Sequence, residues 1–208
     1  RSLLVDGVIA GAGGVLVFHD VSEARELNRR LSYHASHDVL TGLVNRRRFQ
    51  EVLQVHVDAA RQPDGRPGAL LFIDLDQFKY INDSYGHHTG DEYLRQVTQH
   101  LRAPLASAHV LGRLGGDEFG VILPDTDAPT AEAFCQSLLA TLNAQEFIHQ
   151  GQNTPFPASI GVAYFPLHGV HTSELLANAD TAMYEAKAQG RNTWCVFEGG
   201  GDLARMRE

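Results

Sequence analysis

Apolar residues in this chain fall into short unbroken runs, separated by stretches in which they recur every three or four positions. Val15-Leu16-Val17-Phe18, Ala69-Leu70-Leu71-Phe72-Ile73, Val110-Leu111 and Val121-Ile122-Leu123 read as strands, with two more expected near residues 158–164 and 193–197. Leu94, Val97 and Leu101 share one face of a helix predicted over residues 91–102. Further helices are expected over 46–60, 78–82, 129–143 and 173–188. Residues 62–68 and 85–90, rich in Gly, Pro, Asp and His, read as loops. The glycine-bearing turn between the runs at 110–111 and 121–123 predicts a tight β-hairpin in the middle of the chain. That hairpin excludes a purely parallel doubly wound sheet and makes the expected class α+β, a sheet flanked by helices.

Upstream of this unit, residues 1–19 read as the trailing strand or hairpin of a domain continuing before the chain's first residue, since one hairpin is marginal without sheet partners. Asp20 and Glu23 have capping-box spacing, with Asp20 as N-cap. The helix they open, to about residue 37, would be about 25 Å long and carries Leu27 and Leu31 on one face. A helix between two domains suits signal transmission, with a plain linker as the alternative. The expected division is therefore 1–19, a linker helix at 20–37, a main domain at 38–198 and a C-terminal linker at 199–208. The chain begins without Met and in mid-pattern, which reads as a piece of something longer.

With 208 residues, 43% apolar and 20% charged, the chain suits one globular domain plus an appendage. Its net charge of -8 argues against nucleic acid or an anionic membrane surface as the main partner. The run Arg46-Arg47-Arg48 is too short to reverse this and reads as a solvated helix face. No apolar run reaches the roughly 18 residues of a membrane span, and no signal peptide is present, so a cytoplasmic setting is expected. Cys135 and Cys195 form no close-spaced motif and read as reduced packing residues. His34 with His37, and His168 with His171, are three apart but have no third ligand in view.

The chemistry concentrates at the hairpin tip, Gly115-Gly116-Asp117-Glu118. Adjacent carboxylates repel, so a cation is expected there, while glycines let a phosphate approach backbone N–H groups closely. Together they point to a nucleoside triphosphate with Mg²⁺. Asp74 ends a buried strand; if it faces the tip, Asp74, Asp117 and Glu118 surround one point and suit metal-assisted phosphoryl transfer. Asp76 reads as the cap of the following helix. Lys79, and Lys187 with Arg191 at the end of the last helix, are candidate phosphate ligands. Asn82 and Asp91 flank the 86–90 loop as candidate guanine readers, with helix capping as the competing role.

Five motifs in order resemble the diguanylate cyclase (GGDEF) domain over about residues 35–198: Asp38 through Arg47, Phe72 through Asp83, Gly86-His87 with Gly90-Asp91, Gly115 through Phe119, and Ala186 through Asn192. The resemblance implies a nucleotidyl-cyclase palm, a ferredoxin-like sheet carrying the signature on its hairpin. It implies condensation of two GTP into cyclic di-GMP and two pyrophosphates in a homodimer. Carried over by position, Asp74, Asp117, Glu118 and the Leu75 carbonyl resemble the Mg²⁺ (or Mn²⁺) ligands, and Asp117 a candidate to help deprotonate the attacking hydroxyl. Gly115 and Gly116 resemble the phosphate turn, Asn82, Asp91 and Leu94 the guanine pocket, and Lys79, Lys187 and Arg191 the triphosphate ligands. The family's inhibitory Arg-x-x-Asp is replaced by Ala106 and His109, which implies weak product inhibition there. Residues 15–23 resemble the end of a PAS sensor domain, and the tail could lead to an EAL-type phosphodiesterase. The competing readings are a silent GTP-binding module regulating such a phosphodiesterase, a cyclase making a 3′,5′-cyclic mononucleotide, and a signalling spacer.

Overall fold

The apolar run ending on Asp74 becomes a strand buried at every position, which requires cover on both faces of its sheet. The structure is a computed structural model that describes residues 3–10, 13–20 and 22–199, with side chains described from residue 23 on apart from 28–32. The chain divides between His37 and Asp38 into two compact units.

In the first unit, β1 (Leu3–Ala10) and β2 (Gly13–Asp20) pair antiparallel over their full length. α1 (Ser22–His34) follows. Asp20 is the last residue of β2, so the expected cap falls short of the helix by one position. The helix also ends earlier than predicted. The Ser36 and His37 N–H groups both donate to the Tyr33 carbonyl, and the His37 ring stacks on Tyr33 with centroids 4.0 Å apart. The tail at 200–208, expected to be a linker, lies outside the described residues.

The second unit contains, in chain order, β3 (Val44–Asn45), α2 (Arg46–Ala60), β4 (Gly68–Leu75), α3 (Phe78–Tyr85), α4 (His87–Arg102), β5 (Val110–Gly115), β6 (Glu118–Leu123), α5 (Ala128–Asn143), β7 (Glu146–His149), β8 (Gln152–Pro155), β9 (Ala158–Phe165), α6 (Thr172–Ala188) and β10 (Trp194–Val196). Six strands form one sheet in the order β10-β9-β4-β6-β5-β3. Its inner pairs are antiparallel, and only β10 with β9 and β3 with β5 run parallel.

The period-two alternation of a strand sorts its side chains between two cores. Leu71, Ile73, Phe119, Val121, Ile160 and Val162 pack with α4 and α5 on one face. Leu70, Phe72, Ile122, Ala163 and Phe165 pack with α2 and α6 on the other. α2 presents Phe49, Leu53, Val57 and Ala60 at helical spacing, and its N-cap Asn45 accepts from the Arg48 N–H.

Two expectations are corrected. The stretch at 85–90 is not a loop: α3 and α4 are separated by Gly86 alone, at φ +82, a conformation glycine adopts without penalty. The polar run Glu146–Pro155 holds an unpredicted hairpin, β7–β8, turning at Gln150 and Gly151 with φ +49 and +76.

α6 lies unusually close to the sheet at Gly161. A Cβ there would meet the Ala179 carbonyl oxygen at 1.9 Å and the Met183 nitrogen at 2.2 Å, both backbone atoms. This approach sets where the last turn of α6, with Lys187, ends above the sheet. Gly161→Ala is expected to cost about 3 kcal/mol in denaturant unfolding, the upper end for overpacking, because backbone cannot step aside. A loss under about 1 kcal/mol would mean that α6 is not held at this distance.

Candidate active site

The register of β4 against β6 places Asp74 directly opposite Glu118, and the Leu75 N–H donates to the Asp117 carbonyl at 3.3 Å. The strand-end acid thus faces the hairpin tip, the condition on which the three-acid reading rests. Asp74 is 9% exposed, and its Oδ1 accepts from Lys187 Nζ at 2.8 Å. Burial pushes the Asp74 carboxyl above its usual range; the Lys187 ammonium opposes this, while Asp117 and Asp76 add repulsion. Glu118 is also raised, first by burial. Arg46 offsets that in part, and Asp180, Asp117 and Asp74 reinforce it.

The three acids therefore share one end of the sheet and repel one another. They do not form a ready cage, since among the described residues no three His, Cys, Asp or Glu side chains converge as a metal site. Lys187, the candidate phosphate ligand, pairs here with Asp74. The all-oxygen donor set is the chemistry a hard divalent cation takes. A buried and a half-buried carboxylate, both with raised pKa values, leave a cation deficit that Lys187 and Arg46 only partly fill.

The hairpin tip is held open by its own backbone. A register shift between Arg113 and Gly115 leaves Gly116 and Asp117 as the turn. A Cβ on Gly116 would meet nothing within 4 Å, and Gly116 is not among the positive-φ glycines. Nothing within the fold requires glycine there, whereas a phosphate approaching the turn would. Arg113 fixes the tip: its Nε and Nη2 donate to the Gly116 carbonyl at 3.1 and 2.7 Å, and its Nη1 donates to both Asp38 oxygens at 3.1 and 3.3 Å. Asp38 also accepts from the Thr41 N–H and hydroxyl. Burial of Asp38 is outweighed by the Thr41 bonds and Arg113, so its carboxyl lies below the usual range. This clamp was not anticipated. Its sequence signal was an Asp three residues before Thr41, the spacing of a side-chain-to-backbone turn.

Arg47 and Arg48 lie along an exposed helix face with Glu51, as expected of a basic run. Arg46 departs from it: its Nη1 donates to the Leu114 carbonyl at 3.4 Å and it faces Glu118. Beside Glu118, between α2 and α6, lies a cleft of about 330 Å³ lined by Arg46, Gln50, Phe72, Ser173 and Asp180 among others.

The guanine candidates cluster on α3 and α4. The Asn82 side chain lies against Gly90, where a Cβ would meet its Oδ1 at 2.0 Å, and Asp91 is the next residue. Leu94, one turn on, is 1% exposed and belongs to the core. Lys79 is exposed on α3. Neither Asn82 nor Asp91 caps a helix: the α4 cap is Gly86 and the α3 cap Gln77. Asp76 is not a cap either, which corrects that expectation. Its Oδ1 accepts from Ser159 Oγ at 2.7 Å and its Oδ2 from the Asn192 N–H at 3.0 Å. Cys135 is a buried packing residue whose thiol burial pushes up to about 12.

Glu118→Gln is expected to raise stability at neutral pH by less than about 1 kcal/mol, since water screens a group at the hairpin's rim. Glu118 has a folded pKa above its unfolded one, so ionisation costs the fold. The parent should therefore close the gap as pH falls through that raised pKa. Denaturant melts at several pH values check this; a destabilised Gln variant at neutral pH would contradict it.

Residues 35–193 match the family described as diguanylate cyclase, GGDEF domain. Among curated relatives, the probable diguanylate cyclase DgcE of Escherichia coli is 40% identical over 186 residues, covering 89% of this chain and 17% of that protein. The bifunctional diguanylate cyclase/cyclic di-GMP phosphodiesterase MucR of Pseudomonas aeruginosa is 40% identical over 171 residues, 82% of this chain and 25% of that one. The chain thus spans a quarter or less of either relative. Among solved structures, the GGDEF domain of YfiN (TpbB) from Pseudomonas aeruginosa superposes with a TM-score of 0.74 at 34% identity, covering 83% of this chain and 99% of that one. The helix-flanked sheet is the nucleotidyl-cyclase palm of such domains.

Proposed function

The chain belongs to the GGDEF diguanylate cyclase domain family, and from that premise we propose that it condenses two GTP into cyclic di-GMP. The 3′-hydroxyl of one GTP attacks the α-phosphate of the other, pyrophosphate leaves, and the reciprocal attack closes the ring. The observation that carries this reading is the register of Asp74 opposite Glu118 beneath a tip whose Gly116 faces open space.

Each residue then has a task. Gly115 and Gly116 admit the phosphates to the turn. Lys79, Lys187 and Arg191 bind the triphosphate, Lys187 exchanging its Asp74 partner for phosphate as substrate arrives. Asn82 and Asp91 read the guanine edge above Leu94. Asp117, with Glu118 beside it, takes up the proton of the attacking hydroxyl. Mg²⁺, with Mn²⁺ as a substitute, held by Asp74, the Leu75 carbonyl, Asp117 and Glu118, would supply charge neutralisation at the reacting phosphate.

Because each subunit offers one substrate, turnover calls for a homodimer. In the same reading the 3–34 segment is the end of a PAS-type sensor and its output helix, whose exposed Leu27 and Tyr33 suit pairing with a second copy. Among the described residues no helix is long and apolar enough to cross a membrane, and we place the reaction in the cytoplasm with GTP. Two relatives named only as cyclic di-GMP phosphodiesterases, PdeB of Shewanella oneidensis and PdeR of Escherichia coli, 34% and 37% identical, favour one second reading, a silent GTP-binding domain that regulates an attached EAL-type phosphodiesterase.

Chromatography and mass spectrometry after incubation with GTP and Mg²⁺ should find cyclic di-GMP from the parent. Asp117→Ala/Glu118→Ala should make at least about 10³-fold less. Yield should rise more than linearly with protein concentration. GTP binding without any product, at every concentration, would favour the regulatory reading.

Ala106 and His109 replace the inhibitory Arg-x-x-Asp; the Ala106 N–H donates to His109 Nδ1 at 3.2 Å, and the His109 ring meets Phe134 edge-on. Added cyclic di-GMP should therefore inhibit weakly or not at all through this turn. A sub-micromolar Ki that disappears on changing residues 106–109 would contradict that.

A further inference from the structure

We propose that Asp76 is a positioning residue for triphosphate binding: its carboxylate pins the turn that presents Arg191. This rests on the reading of Arg191 as a phosphate ligand and goes beyond it by naming what holds that ligand in place.

The turn is an unusual piece of backbone. α6 ends in a Schellman motif, with the Gly190 N–H donating to the Lys187 carbonyl at 3.4 Å and the Arg191 N–H to the Ala186 carbonyl at 3.2 Å. Gly190 has φ +117, as the motif requires. The two residues that follow also lie at positive φ, Arg191 at +64 and Asn192 at +49, and neither is glycine. Consecutive non-glycine residues in this region persist only where the surroundings over-determine them.

Asp76 supplies that constraint from below. It follows β4 directly, and its N–H extends the ladder to the Pro157 carbonyl at 3.0 Å. One carboxylate oxygen accepts from Ser159 Oγ at 2.7 Å, and Ser159 is fully buried. The other accepts from the Asn192 N–H at 3.0 Å, a charge-assisted bond to the backbone of the turn. On its far side the turn is tied down by the Ile160 N–H donating to the Thr193 carbonyl at 2.9 Å. Asp76 thereby joins β4, β9 and the turn in one arrangement. The same strand end that carries Asp74 also sets the position of Arg191, and Lys187 on the preceding helical turn already meets Asp74. Each Asp76 oxygen carries a protein donor, and through the second of these Asp76 serves the site by way of the turn.

The test is a double-mutant cycle on the 208-residue chain: parent, Asp76→Ala, Arg191→Ala and the double variant. Each is titrated calorimetrically with a non-hydrolysable GTP analogue and Mg²⁺, assayed for KM and kcat with GTP, and melted thermally. Asp76→Ala and Arg191→Ala should each weaken analogue binding about tenfold. Because one acts through the other, the double variant should bind within about twofold of Arg191→Ala. KM should rise more than kcat falls. A double variant whose loss equals the product of the single losses, or an Asp76→Ala protein that binds like the parent, would overturn the proposal.

If Asp76→Ala does not melt cooperatively, Asp76→Asn and Ser159→Ala carry the same cycle. Ser159→Ala keeps only the bond to the Asn192 N–H, and Asp76→Asn keeps that bond without its charge; each should weaken binding about two- to fivefold, with that loss vanishing in the Arg191→Ala background. A parent that binds no analogue would overturn the triphosphate reading itself, an outcome distinct from a parent that binds and an Asp76 variant that matches it.

Discussion

The pairing of β4 with β6 is the constraint on which the rest of this structure depends. A shift of one residue would turn Asp74 into a helix-packed core and point its apolar neighbours at the hairpin tip, because side chains alternate strictly across a sheet. The two hydrophobic faces resist that shift. Leu71 and Ile73 are committed to α4 and α5, and Leu70 and Phe72 to α2 and α6. The energy that places the two acids opposite each other comes from the cores rather than from the acids, which burial and mutual repulsion work against. The fold accepts local destabilisation at its functional end and offsets it in the interior, a common stability–function compromise.

Three polar connections turn that sheet end into a site. Arg113 joins the hairpin tip to Asp38 and so to the start of the unit. Asp76 joins the turn after α6 to β9. Lys187 reaches back to Asp74 from the last turn of α6. In each, a charged group bonds a carbonyl, a backbone N–H or an opposite charge, so the elements around the site are fixed to one another while the space above Gly116 stays open. Lys187 is the connection with a second role available, since Asp74 and a phosphate are alternative partners for one ammonium.

Much of this was legible in the residues. Continuous apolar runs marked β4, β6 and β9, and glycines between two of them marked the hairpin; the acids at its tip announced a charge problem that a cation would relieve. The illegible parts have physical causes. Gly86-His87-His88-Thr89-Gly90 has loop composition, yet α4 runs through it from His87; Gly90 is there because Asn82 lies against it, a packing demand that local propensity does not carry. β7 and β8 are polar and largely exposed, so no hydrophobic pattern marked them. Asp76 has the local spacing of a helix cap, and only the fold brings Ser159 and Asn192 to it, 83 and 116 residues away. The same holds for Arg113 and Asp38, 75 residues apart. The family motifs placed the site residues in order, but the exchange partner of Lys187 appeared only in three dimensions.

The central claim is that Asp74, Asp117 and Glu118 are acids awaiting a cation brought with the nucleotide. The most direct measurement is a crystal structure of the chain with Mn²⁺ and a non-hydrolysable GTP analogue, with the metal located by its anomalous scattering. The account predicts Mn²⁺ between Asp74 and Glu118, with Lys187 withdrawn from Asp74 to the triphosphate. Mn²⁺ and nucleotide bound elsewhere, with the 2.8 Å Lys187–Asp74 pair intact, would contradict it.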